Sequence, residues 1–159
     1  SSVDVIMGVW HCMAYENTRL KVLMDSWAGA KSPHLKVVFL ASEVARGRSI
    51  YPNEMMIYSD TAGDDTYPSH VMKGMMGLVH MAERFPDAKW YAVLGDDVAV
   101  SVGNLVNILS AFDPAEEWCL GQTGALTDGS WRLYGGAPII TSRAMTQRLV
   151  LSPCSTVSP

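Results

Sequence analysis

Two rhythms of apolar and polar residues alternate along this chain. Val3–Trp10 (VDVIMGVW) is a short apolar run with β-branched residues, which predicts a buried strand. From Glu16 to Ala28 the period changes: Leu20, Leu23, Met24 and Trp27 recur three and four apart, the stripe of an amphipathic helix. Leu35–Leu40 (LKVVFL) predicts a second strand and Met55–Tyr58 (MMIY) a third, with a Gly-, Pro- and base-containing loop over Ala45–Asn53. Tyr67–Phe85 is the longest helical stretch. Val71, Met75, Leu78, Val79 and Ala82 are expected on its inner face, and Pro86 stops it.

Lys89–Leu94 (KWYAVL) predicts another buried strand. Ser101 is placed to cap a helix over Val102–Phe112 that Asp113-Pro114 closes. Glu117–Gly121 predicts a short strand. Trp131–Tyr134 and Ala137–Thr141 are expected to pair with each other around Gly135-Gly136. Ser142 opens a last helix that Pro153 ends. Strands alternating with helices imply an α/β fold with a mostly parallel central sheet flanked by helices, mixed near its C-terminal end. With no repeat or linker, residues 1–159 are expected to form a single domain.

Composition narrows the class. The chain has 48% hydrophobic and 18% charged residues, the make-up of an ordinary folded domain. Its formal charge of −4, with Lys and Arg scattered, argues against nucleic-acid binding, which needs a basic stripe to neutralise phosphates. No apolar run approaches the roughly 20 residues that span a bilayer, and Ser1 is not followed by a signal-like segment. Cys12, Cys119 and Cys154 lack zinc-knuckle spacing and leave one disulfide or three thiols equally open. No Gly-x-Gly-x-x-Gly, P-loop or Gly-x-Ser-x-Gly elbow occurs, which disfavours dinucleotide oxidoreductases, NTPases and α/β hydrolases.

The chemistry concentrates after the fourth strand. Asp96 and Asp97 follow an almost wholly apolar run, where an unpaired carboxylate is costly without a cation, donor groups or solvent. One acid could hold a hard divalent ion while the other accepts from a sugar hydroxyl or an N–H. Gly95-Asp96-Asp97 alone reads equally well as a turn.

The surrounding residues carry a resemblance. Ala88-Lys89-Trp90-Tyr91, Gly95-Asp96-Asp97-Val98, Gly103-Asn104-Leu105 and Phe112-Asp113-Pro114 together resemble the central block of the fringe-like and β-1,3-galactosyltransferase group. Thr18-Arg19 through Ser26-Trp27 is similar to that group's first-helix pattern. Asp65-Thr66-Tyr67 with Lys73 is similar to its Asp-Thr-Tyr-x-Asn-Leu-Thr-x-Lys helix start. Gly135-Gly136-Ala137 with Ser142-Arg143 is similar to its late glycine turn. The ordered set spans about Val5 to Val150.

The resemblance implies a GT-A-type nucleotide-sugar fold and inverting transfer from a UDP-sugar donor to a glycan or glycoprotein hydroxyl. It implies Mn²⁺ (or Mg²⁺) as the metal, and the Golgi lumen or secretory pathway as the location. Carried over residue by residue, Asp97 is the expected metal ligand. His11, Arg19, Asp65, Lys73 and Asp96 are the expected donor- or nucleotide-binding residues. Two departures stand out. Gly95 occupies the place of the first acid of the group's triplet, and the acidic motif that supplies the general base would fall beyond Pro159. The alternative expectation is therefore a non-catalytic module of the same fold that binds a nucleotide sugar or glycan.

Other candidates read more plainly. Asp60 and Asp64 lie in an acidic loop before a helix, where they complement its dipole. The methionines of 72–81 fit core packing, and Trp118 and Trp131 suit either burial or a sugar-binding face. His70 and His80 are not at metal-pair spacing.

Overall fold

The computed structural model describes residues 4–60, 65, 69–125, 127, 131–133 and 137–151. Six strands form the main sheet: β1 (Val5–Trp10), β2 (Leu35–Ser42), β3 (Met56–Ser59), β4 (Trp90–Leu94), β5 (Cys119–Leu120) and β8 (Ile139–Ser142). Their order is β3-β2-β1-β4-β8-β5. The first four run parallel, whereas β8 is antiparallel to both β4 and β5, so the expected α/β sheet, mixed at its C-terminal end, is present.

Alternate residues of these strands face two different layers, which is why the runs are apolar throughout. Val5, Met7, Val9, Val37, Phe39, Trp90, Ala92 and Leu94 join one core with Leu20, Leu23 and Leu109. Ile6, Val38, Leu40, Ile57 and Tyr91 join another with Met81. The first layer is covered by a helical segment over residues 13–28 and by α3 (Val102–Leu109). The second is covered by α2 (Ser69–Arg84), which also contacts α4 (Arg143–Leu151).

The segment 13–28 is helical as its period predicts, but irregular. A 3₁₀ turn at Met13–Tyr15 leads into π turns at Glu16–Leu20 and Met24–Ala28, on either side of α1 (Lys21–Leu23). Helix α2 follows its expected orientation only in part: Leu78 and Ala82 pack against the second core. Its buried residues are Ser69, Lys73, Gly77 and Met81, while Val71 and Met75 point outward. The side turned to the sheet is small at Gly77, where an added Cβ would lie 2.6 Å from Leu40 Cδ1. Close approach of helix to sheet sets the orientation here, overriding part of the stripe of large apolar residues.

Among the described residues the strands expected to pair across Gly135-Gly136 do not pair with each other. β7 (Trp131–Leu133) pairs instead with β6 (Thr123–Ala125), in register Thr123↔Leu133, as a separate two-stranded sheet. β8 joins the main sheet beside β4, with Ile140 opposite Ala92 and only 8% exposed. Burying that isoleucine in the core outweighs a local turn signal. Gly135 and Gly136 themselves, with Asp64, Thr66, Tyr67, Cys154 and the Trp131 side chain, lie outside the described residues. Cys12 and Cys119 are free thiols.

Candidate functional site

In a parallel sheet the carboxyl ends of the strands form one edge, and there β1 and β4 stop side by side, Val9 opposite Leu94. The chain leaves β4 through Gly95, and the two acids that follow are separated. Asp96 is 8% exposed and accepts from Arg19 Nη1 at 3.3 Å, while Asp97 is exposed. Arg19 projects from the helical segment, half-exposed, with its guanidinium 4.3 Å over the Tyr15 ring. Asp96 raises the Arg19 pKa further, keeping it cationic.

Gly95 shapes the placement of Asp97. A Cβ at position 95 would stand 2.7 Å from Asp97 Oδ1, so the Asp97 carboxylate lies back over the space that a side chain would fill. Trp27 fixes the next residue, donating from Nε1 to the Val98 carbonyl at 3.2 Å. Between the helical segment and this loop lies an open groove of about 410 Å³. Arg19, Asp96 and Asp97 form its polar end, and Val22, Leu23 and Trp27 its apolar side.

His11, Asp65 and Lys73 meet one strand away, behind the end of β1. His11 is fully buried, its Nε2 2.6 Å from Glu16 Oε1. Burial lowers the His11 pKa, outweighing the opposing pull of Glu16. Lys73, also fully buried, donates to the His11 carbonyl at 2.8 Å and to Asp65 Oδ1 at 2.7 Å. Asp65 Oδ2 accepts the Met13 N–H at 2.7 Å. Burial pushes the Asp65 pKa up, but the Lys73 ammonium and the Met13 N–H pull it lower still, so the carboxylate is ionised. The six expected residues thus fall into two neighbouring groups. Arg19, Asp96 and Asp97 face the groove, whereas His11, Asp65 and Lys73 face inward.

Sequence reasoning passed over two residues here, Glu16 and His70. Glu16 is a buried carboxylate, although its place on the stripe Glu16, Leu20, Leu23, Trp27 was a readable sign of burial. Trp10 and His70 stack with ring centroids 5.1 Å apart at the same strand end. Burial and the nearby Lys73 lower the His70 pKa, and Asp96, Asp65 and Asp97 oppose them. Nothing in the spacing of His70 signalled that neighbourhood.

Among the described residues no cluster of three or more His, Cys, Asp or Glu side chains could enclose a metal ion. The exposed Asp97 suits a different arrangement: Mg²⁺-like ions are commonly held by one or two carboxylates together with substrate phosphates and water. No helix among the described residues is long and apolar enough to cross a membrane.

Comparison with known proteins gives the family of the chain. The family described as Fringe-like matches residues 1–158. A human protein named beta-1,3-glucosyltransferase is 24% identical over 155 residues. That alignment covers 95% of this chain and 29% of the human protein, so the chain spans under a third of that relative's length.

Proposed function

The chain belongs to the fringe-like family, and we propose that its groove binds a UDP-sugar and a divalent ion for inverting transfer of the sugar to a glycan or glycoprotein hydroxyl. The observation that carries this reading is the division of labour between adjacent acids. Asp96 is buried and held by Arg19, while Asp97 is exposed. Asp97 would hold Mn²⁺ or Mg²⁺. When bound, that ion supplies Lewis-acid neutralisation of the leaving diphosphate. Arg19 adds charge-assisted hydrogen bonds from the other wall of the groove. Asp96, positioned by Arg19, accepts from a hydroxyl of the donor sugar or ribose.

His11, Asp65 and Lys73 belong to the nucleotide end of the same site. The Trp27 side of the groove offers an apolar surface of the kind that pyranose rings favour. Inverting transfer also needs a carboxylate within hydrogen-bond reach of the acceptor hydroxyl. Among the described residues the groove lining contains no acid besides Asp96 and Asp97. A place in the Golgi lumen or secretory pathway belongs to the same reading.

A second reading, binding without turnover, is favoured by Gly95 in place of an acid. Incubation with a panel of UDP-sugars, a panel of glycan acceptors and Mn²⁺ separates the two. Release of UDP with inverted anomeric configuration in the product supports transfer, and UDP binding without release supports the binding module. Absence of both would remove the proposal.

A further inference from the structure

The turn that follows β1, residues 11–16, is gripped from two sides by buried charge. On one side Lys73 spends its ammonium on the His11 carbonyl (2.8 Å) and on Asp65 (2.7 Å). Asp65 in turn accepts from the Met13 N–H (2.7 Å) and from the Ser42 hydroxyl at the end of β2 (3.4 Å). On the other side Glu16 pairs with His11 Nε2 (2.6 Å) and accepts the Ile50 N–H (3.3 Å), while its own carbonyl accepts the Tyr51 hydroxyl (3.3 Å). Helix α2, the end of β2 and the 49–51 loop therefore all fix one short piece of backbone. Neutral groups could hold a turn at less cost than a buried ion pair. What the ion pair adds is a single arrangement of its partners.

The position of the turn says what such rigidity serves. With a diphosphate between Asp97 and Arg19, the nucleoside must extend along the sheet edge from the end of β4. Of the neighbours of β4, β1 ends at that edge, roughly 5 Å away, whereas β8 runs antiparallel and begins there. The turn at 11–16 is thus the strand-end turn that lies beside the end of β4 on this edge.

We propose that Glu16, Asp65 and Lys73 are positioning residues: they hold turn 11–16 in the shape that seats the nucleoside of the donor, and none of them touches it. The inference rests on the reading of the groove as a nucleoside-diphosphate site. It predicts an effect selective for ligands that carry a base. In Asp65→Asn/Lys73→Met both charges are removed together, so thermal stability recovers most of what Lys73→Met alone loses, because no buried charge is left unpaired. Affinity does not recover with it.

The test is calorimetric titration, with Mn²⁺ present, of UDP and of inorganic pyrophosphate into the wild type, Lys73→Met and the double variant. The double variant is expected to bind UDP about tenfold more weakly than the wild type, the scale seen when groups that orient direct contacts are lost. Its pyrophosphate affinity is expected to be unchanged. Glu16→Gln, which keeps an acceptor for Ile50, is expected to show the same selectivity and covers the case in which the double variant does not fold. Wild-type UDP affinity in the stable variants would overturn the inference by reducing the network to a stability element. An equal loss for pyrophosphate would overturn it by placing Lys73 on the phosphates. If the wild type binds neither ligand, the donor-site reading itself fails; if the wild type and the variants bind both alike, only this inference does.

Discussion

Replacing Gly77 with alanine tests the packing that brings helix α2 against the sheet. An added Cβ would stand 2.6 Å from Leu40 Cδ1 and 2.7 Å from Cδ2. Leu40 is 1% exposed and is also hemmed in from β1, where a Cβ on Gly8 would lie 2.8 Å from the same Cδ1. Both methyls are met at once, so rotating the side chain gives no relief. In an open helix Gly→Ala would stabilise by up to about 1 kcal/mol. Here overpacking of about 1–3 kcal/mol opposes it. The net expectation is a loss of up to about 2 kcal/mol, or up to roughly 8 °C in Tm for a chain of this size.

Gly103 provides the control. It lies in α3, and an added Cβ there meets nothing within 4 Å, so Gly103→Ala should be neutral or stabilising. Leu40→Val in the Gly77→Ala background should be less damaging than the two changes summed, by about 0.5 kcal/mol or more. Urea unfolding of the four variants and the wild type reads all of these differences. Gly77→Ala as stable as Gly103→Ala would refute the steric argument.

At Gly95 only the end of a flexible side chain, Asp97 Oδ1, must yield, so Gly95→Ala should change stability by no more than about 0.5 kcal/mol in the same assay. Trp27→Phe removes the hydrogen bond to Val98 and part of the ring's packing, and should cost about 1 kcal/mol or more; no loss would contradict a role for Trp27 in holding the loop. Burial lowers the pKa of His11 below its ordinary 6.5, so the unfolded chain takes up a proton there more readily than the folded one. That contribution is full above pH 6.5 and is lost as pH falls through and below it. Tm measured from pH 7.5 to 5 should therefore decline, and more shallowly in His11→Asn; equal slopes would contradict the assignment.

Much of this architecture was readable in the chain. Runs such as Leu35–Leu40 and Lys89–Leu94 are apolar at every or nearly every position because both faces of the sheet are covered, and the structure has strands at both. The orientation of α2 was only partly readable from hydrophobicity, because its inner face is also marked by Lys73 and Gly77, and a buried lysine declares itself only through its partner Asp65. The pairing of β8 was hidden for another reason. Gly135-Gly136 is a local signal, whereas the place beside β4 becomes available only once the sheet exists.

At the site, the end of β4 could be located from sequence, but the separation of Asp96 from Asp97 depends on Arg19, seventy-seven residues away. The inward direction of His11 could have been found by counting in twos. It continues the face of Val5, Met7 and Val9, all in one core cluster.

The central claim is that the exposed acid after β4 joins a divalent ion to a nucleoside diphosphate. Calorimetric titration of UDP into this chain with and without Mn²⁺, repeated with Asp97→Ala, tests it most directly. UDP binding is expected to require the metal and to be abolished by the substitution. UDP binding that is indifferent to Mn²⁺, or that survives Asp97→Ala at wild-type affinity, would contradict it.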